Sequence, residues 1–245
     1  MAETMRAPQA QGEQFERDGF VAIPNLITRA EARALKDEVA RILDEVAREE
    51  RERGEERPQF LQSGVYVGLS KRSEVCRRFA RDPRLLDVME AVIGPNILFW
   101  SDKVVFKSEE TDYGTPWHQD WPYWKGIHKV TLWLALDDID ASNGCLQLVR
   151  GSHRDTYEHH GGSGPAGSFG HQLDAPAVDP ARVVTVPAPA GTAVVFHDLT
   201  LHASHPNSAR ADRYALAITY KDAAAEDLDY PAMTAAAVVR GHGRE

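Results

Sequence analysis

The sequence predicts a mainly β protein, an antiparallel barrel or sandwich with helices packed outside it. Up to residue 94 the apolar residues recur at helical spacing between cap signals, whereas from residue 96 onward they recur every second residue in short runs. No helical pattern separates the later runs, which favours antiparallel pairing over a parallel doubly wound sheet. The chain has 245 residues and is expected to be one domain over 1–245, with helical support mainly in 14–94, the barrel mainly in 96–221 and a lid or insertion at about 151–180.

The elements follow in order. A first short element ends at Asp18-Gly19 and the chain runs extended to Pro24. A helix then opens at Thr28, where Glu31 stands three places on as the second half of a capping box. Leu35, Val39, Ile42, Leu43 and Val46 form its single apolar stripe, so it covers an apolar surface. Asp82-Pro83 is a second start signal and Gly94 a stop. The strand candidates are "NILFWSDKVVFKS", "HKVTLWLALDD", "GCLQLVRG", "ARVVTVPA", "GTAVVFHD" and "RYALAITYK". Asn143-Gly144 is a strong hairpin signal and predicts that the runs on either side of it pair, with Cys145 buried beside the turn.

Composition excludes several functions. A formal charge of −9 argues against a nucleic-acid partner. No apolar run reaches the ~20 residues of a membrane helix, and the first fifteen residues lack the apolar core of a signal peptide, so a cytoplasmic, membrane-free protein is expected. Cys76 and Cys145 have no metal or disulfide spacing and are expected to be reduced packing residues. Oligomeric state is not legible.

The chemistry concentrates in "TPWHQDWPYW". His118 and Asp120 are i and i+2 on an extended segment, so they share a face. Together they supply two thirds of a 2-His-1-carboxylate triad, the set that leaves non-heme Fe(II) open positions. The pair alone is weak, because ten histidines and 37 acidic residues give about one and a half such spacings by chance. The cluster "FHDLTLHASHPNSARADRYAL" strengthens it with a third ligand. His202 is the choice, because Arg213 eleven residues later would begin the neighbouring antiparallel strand at similar depth. His197 reads as a core or supporting histidine and His205 as a loop residue.

Four stretches, "FERDGFVAIPNLIT", "WHQDWPYW", "DASNGCLQLVRGSHR" and "LHASHPNSARADRYAL", occur in the order seen in the phytanoyl-CoA dioxygenase family of Fe(II)/2-oxoglutarate-dependent oxygenases, which the chain resembles over roughly residues 14 to 220. The resemblance implies a double-stranded β-helix, a jelly-roll, cupin-like barrel. It implies His118, Asp120 and His202 as catalytic iron ligands and Arg213 as the residue holding the distal carboxylate of 2-oxoglutarate, with Ser204 and Trp133 beside the cosubstrate. Halogenating relatives carry glycine or alanine in place of the carboxylate, so Asp120 points to oxygen transfer. The sequence after the motif, "WPYWKG", departs from the ectoine hydroxylase branch.

Physical chemistry supports these roles separately. Two imidazoles and one carboxylate leave Fe(II) with positive charge that favours an anionic 2-oxo acid, and a guanidinium fork suits the far carboxylate. Trp121, Tyr123 and Trp124 are candidates for a water-excluding substrate wall, while Trp117 should face away from His118. Lys103, Lys107 and Arg150 are open to meeting a substrate acid but read first as surface charges; His153, His159, His160 and His171 lie in the long loop without ligand spacing, with His159 and His160 read as exposed. The expected function is hydroxylation of a small-molecule substrate with Fe(II), 2-oxoglutarate and O2. A metal-dependent hydrolase or a non-catalytic small-acid-binding barrel are the competitors. Arg213 disfavours the hydrolase, and the intact triad disfavours the non-catalytic barrel.

Overall fold

The structure is a computed structural model that describes residues 2–108, 114–124, 126–161, 171–173, 178–209, 211–225 and 235–243. Helix α1 (Ala2–Asp18) leads into strand β1 (Phe20–Ile23) and helix α2 (Arg29–Glu52). The Thr28 hydroxyl accepts from the Glu31 amide while Glu31 reaches back to the Thr28 amide, completing the capping box read from sequence. Three short helices, α3 (Gln59–Ser63), α4 (Leu69–Arg72) and α5 (Glu74–Phe79), surround strand β2 (Val65–Val67). Helix α6 (Pro83–Ile93) starts at the Asp82 cap and stops at Gly94. It packs along α1 at Gly12, where a Cβ would stand 2.6 Å from the Ala91 carbonyl oxygen.

The remaining elements are β3 (Ile97–Lys107), β4 (Thr115–His118), the single-turn α7 (Trp121–Trp124), β5 (Val130–Ala135), β6 (Leu146–Val149), β7 (Val183–Val186), β8 (Ala193–His197), β9 (His202–Ser204), β10 (Arg213–Asp222) and β11 (Ala237–Arg240). They form two sheets. One runs β1-β8-β5-β10-β3-β11 with β2 attached to β3, and the other runs β4-β9-β6-β7; every pairing is antiparallel. This is the double-stranded β-helix with helices outside. Strands β1, β2 and β11 extend the larger sheet beyond the span expected for the barrel. Being three or four residues long, they offer little alternation to recognise.

The larger sheet is buried on both faces. In β5, Val130, Leu132 and Leu134 join the helix-side core, while Trp133 and Ala135 join the core inside the barrel. In β10, Leu216, Ile218 and Tyr220 face the helices and Ala215 and Ala217 face inward. The α2 stripe closes the outer layer: Leu35, Val39, Ile42, Leu43 and Val46 are all buried. Cys76 and Cys145 are free and buried. Among the described residues no helix is long and apolar enough to cross a membrane.

Two expectations fail here. The segments flanking Asn143-Gly144 do not pair: β5 lies in the larger sheet and β6 in the smaller. Asp140 and Asn143 fold the link into a turn of its own, with the Cys145 amide donating to the Asp140 carbonyl (2.9 Å) and the Asp140 amide to the Asn143 side chain (2.8 Å), and this turn carries the chain across the barrel. Likewise β9 and β10 lie in different sheets, so Arg213 does not begin a strand neighbouring that of His202. Of the expected lid, residues 162–170 and 174–177 lie outside the described residues.

Candidate metal centre and cavity

The smaller sheet brings two distant histidines together. His118 on β4 and His202 on β9 are direct cross-strand partners, and their ring centroids are 4.0 Å apart. Asp120, just past the end of β4, is held by its amide, which donates to the Asp198 carbonyl at 2.9 Å. Its carboxylate oxygens lie 3.8 Å from His118 Nε2 and 4.0 Å from His202 Nε2. All three side chains are buried, and their ligand atoms are close enough together for one ion to touch all three.

The hydrogen bonds decide which nitrogens are available. His118 Nδ1 lies 2.9 Å from the Pro116 carbonyl oxygen and His202 Nδ1 2.9 Å from that of Thr200. A carbonyl only accepts, so each Nδ1 carries the proton and each Nε2 presents a lone pair towards Asp120. Burial, with the neighbouring His202 adding to it, lowers the His118 pKa to about 3, and burial lowers that of His202 as well. Burial alone would raise Asp120, but the positive charge of Lys103, the largest of the opposing causes, holds it below the ordinary carboxylate range. Two neutral imidazoles and an ionised carboxylate is the state in which the set binds a divalent ion, so the residues fit the iron site that the donor set implies.

The triad opens on a cavity of about 410 Å3 between the sheets. Arg213 lines it, 1 % exposed, with its guanidinium donating to the carbonyls of Asn143 (3.2 Å), Val105 (3.4 Å) and Gly144 and lying 5.8 Å from the Trp133 ring centre. Burial lowers its pKa to about 10, which leaves it a cation at neutral pH. Gly144 is required here: its φ is +97°, and a Cβ would stand 2.6 Å from the Lys107 side chain and 2.9 Å from Arg213 Nη2. Lys107 and Arg213 are cross-strand partners, so two cations converge on one end of the cavity. Ser204 and Trp133 line it too, and the Ser204 hydroxyl accepts from the Thr115 amide at 3.2 Å.

The aromatic residues divide. Tyr123 and Trp124 line the cavity, the first edge-on to His118 with centroids 6.4 Å apart and the second against Trp100 at 5.2 Å. Trp121 lies off the lining, beside His128. Trp117 packs in a separate cluster with Val149, Leu173 and Leu201. His197 and His205 stand outside the triad.

Sequence reading missed three residues. Lys103 and Lys107 are not surface charges: both line the cavity, and Lys107 is only 4 % exposed. The signal was present in β3, where Asp102 and Val104 are buried in alternation with Ser101, Lys103 and Val105 of the cavity, which Lys107 also lines. With helices covering one face, the alternate face of a barrel strand points inward. His159 is likewise half-buried rather than exposed. Its Nε2 accepts from the amide of Gln119, between the two motif ligands, at 2.9 Å. Arg150 and His160 are exposed as expected.

A buried His/Asp/His set on a jelly-roll, opening on a cavity with a cationic end, defines a non-heme iron, 2-oxoglutarate-dependent oxygenase, and comparison with known proteins agrees. Residues 15–215 match the phytanoyl-CoA dioxygenase (PhyH) family, and the chain belongs to it. The L-proline trans-4-hydroxylase of Streptomyces griseoviridis is 26 % identical over 84 % of each chain. Among solved structures, the non-heme monooxygenase ThoJ in its apo form is 27 % identical with a TM-score of 0.75, covering 95 % of this chain and 84 % of that one. The epimerase SnoN, in complex with Fe3+, α-ketoglutarate and nogalamycin RO, is 25 % identical with a TM-score of 0.65, covering 94 % and 88 %.

Proposed function

We propose that the protein hydroxylates an unactivated C–H bond of a small-molecule metabolite or biosynthetic intermediate, with His118, Asp120 and His202 as the iron ligands. The observation that carries this reading is the pair of Nδ1 to carbonyl bonds that turns both imidazole lone pairs towards one carboxylate. When bound, iron supplies the O2 chemistry that couples 2-oxoglutarate breakdown to succinate and CO2 with oxidation of the substrate. The chain supplies the rest. Arg213 and Lys107 hold the distal carboxylate of 2-oxoglutarate, with Ser204 and Trp133 beside it. Tyr123, Trp124 and Trp100 wall the substrate end and limit water around the reacting C–H. Relatives named as a hydroxylase and an epimerase support the class, within which hydroxylation is the outcome we adopt as the default.

The test is anaerobic titration of the protein with Fe(II) and 2-oxoglutarate, followed by visible absorption. A weak metal-to-ligand charge-transfer band is expected, and admission of air should release succinate. A protein that binds Fe(II) but gives no band with 2-oxoglutarate would overturn the reading.

A further inference from the structure

Lys103 remains after the metal ligands and the cosubstrate anchor are assigned. It sits mid-strand on the inward face of β3, opposite Ala217 of β10 and Val67 of β2. It lines the cavity and is half-buried, and among the described residues its ammonium group has no hydrogen bond or ion pair. Four residues separate it from Lys107, about 13 Å along a strand, so the two amines are rooted at different ends of the cavity. A half-buried ammonium without a partner is costly unless a ligand supplies the counter-charge.

Charge balance indicates what that ligand brings. Among the described residues the lining holds Lys103 and Arg213, besides Lys107 with interactions of its own, against one carboxylate, Asp120. A divalent ion would add two positive charges and dianionic 2-oxoglutarate would cancel only two, which leaves Lys103 and Arg213 against Asp120 with a formal excess of one. Both cosubstrate carboxylates already have partners in the proposed arrangement, one at the metal and one at Arg213 and Lys107. Val67 is the cross-strand neighbour of Lys103, and Val65, Trp100 and Tyr123 add apolar or aromatic surface to the same cavity.

We infer that Lys103 binds an acidic group of the substrate, so that the substrate class is a small molecule with a carboxylate, or an anion of similar size, on an apolar body. This rests on the oxygenase reading above and adds the substrate's charge to it. Lys103 is then a specificity-determining residue, with no part in holding the metal.

The experiment uses the Fe(II)·2-oxoglutarate protein under anaerobic conditions, titrated by calorimetry with aliphatic and aryl carboxylic acids of about six to ten carbons, sized to the cavity, and with their primary amides. At least one acid should bind about tenfold or more tightly than its amide. Lys103→Met should bring that acid to the level of the amide and Lys103→Arg should retain the preference, while the charge-transfer band and the 2-oxoglutarate constant stay unchanged in both variants. The band doubles as the check on folding. A panel in which no acid outbinds its amide would overturn the inference, as would a Lys103→Met protein that keeps the preference. A loss that falls on the 2-oxoglutarate constant would assign Lys103 to the cosubstrate instead. A wild-type protein with no band at all defeats the oxygenase reading, which separates the two failures.

Discussion

Two histidine–aspartate clusters stand among the described residues, and by composition they are alike. His118, Asp120 and His202 form one; His128, His197 and Asp198 form the other, and each group brings three ligand atoms within reach of one ion. The difference lies in what else those atoms do. In the first, both Nδ1 protons are spent on carbonyls and the two Nε2 lone pairs face a carboxylate at the wall of a cavity. In the second, the Asp198 carboxylate accepts from the Trp124 indole (3.0 Å), the Lys129 amide (3.0 Å) and His128 Nδ1 (3.0 Å), while His197 Nδ1 accepts from the Leu199 amide (3.1 Å). The second cluster is a hydrogen-bond hub. Through its carbonyl, Asp198 also takes the amides of Asp120 and Trp121, so the hub fixes the loop that presents the metal site.

The largest effect expected from this contrast is on metal binding. His202→Ala should eliminate Fe(II) binding and turnover, because it removes one of the two available lone pairs. His197→Ala should leave Fe(II) stoichiometry intact and lower only stability or rate. Calorimetric iron titration of the two variants would expose the reverse ranking, which would move the centre to the second cluster.

Much of this was legible in the sequence. The capped helices and the inward and outward alternation of β5 and β10 are local patterns, and His118 with Asp120 is a local motif. Cross-barrel relations were not legible. The Asn143-Gly144 turn has hairpin residues, yet the Asp140 carboxylate accepts from the Ser142 amide, the Asn143 side chain bridges the Asp138 carbonyl and the Asp140 amide, and the flanking strands enter different sheets. Arg213 was expected to begin the strand neighbouring that of His202; it reaches the cavity from the other sheet. Lys103 and Lys107 looked solvated in a chain of net charge −9, because total charge says nothing of how a cavity inside an acidic protein is lined.

Arg213 sharpens the comparison at intermediate size, since only the first cluster has a buried cation across a cavity from it. Removing it leaves the distal carboxylate of 2-oxoglutarate in a largely dry site and costs roughly 2–5 kcal/mol. The apparent 2-oxoglutarate constant of Arg213→Ala should therefore rise well over tenfold, at about 1.4 kcal/mol per decade. Iron affinity should change little. Arg213→Lys should recover only part of the loss, because an ammonium lacks the fork that also braces the Asn143 and Gly144 carbonyls. Unchanged 2-oxoglutarate dependence in Arg213→Ala would remove the cosubstrate assignment.

The smallest effect tests the hub through pH. His197 is largely buried, with His128 4.8 Å and His153 5.9 Å away by ring centroid and Asp198 at 3.1 Å, and burial followed by its two histidine neighbours lowers its pKa to about 4. In the unfolded chain the same imidazole titrates near 6.5. The unfolded state thus binds the proton first as pH falls, so the stability that neutral His197 contributes is complete above about pH 6.5 and is lost progressively down to about pH 4. At pH 5 the loss comes to about 2 kcal/mol, an upper figure for a ring that keeps some exposure. Urea unfolding of metal-free protein at pH 7 and pH 5 should show wild type losing stability over this interval and His197→Gln losing about 2 kcal/mol less. A variant as acid-sensitive as wild type would mean that His197 takes up its proton within the folded hub, and that the Asp198 carboxylate beside it acts as an ion-pair partner rather than as a closed hydrogen-bond acceptor.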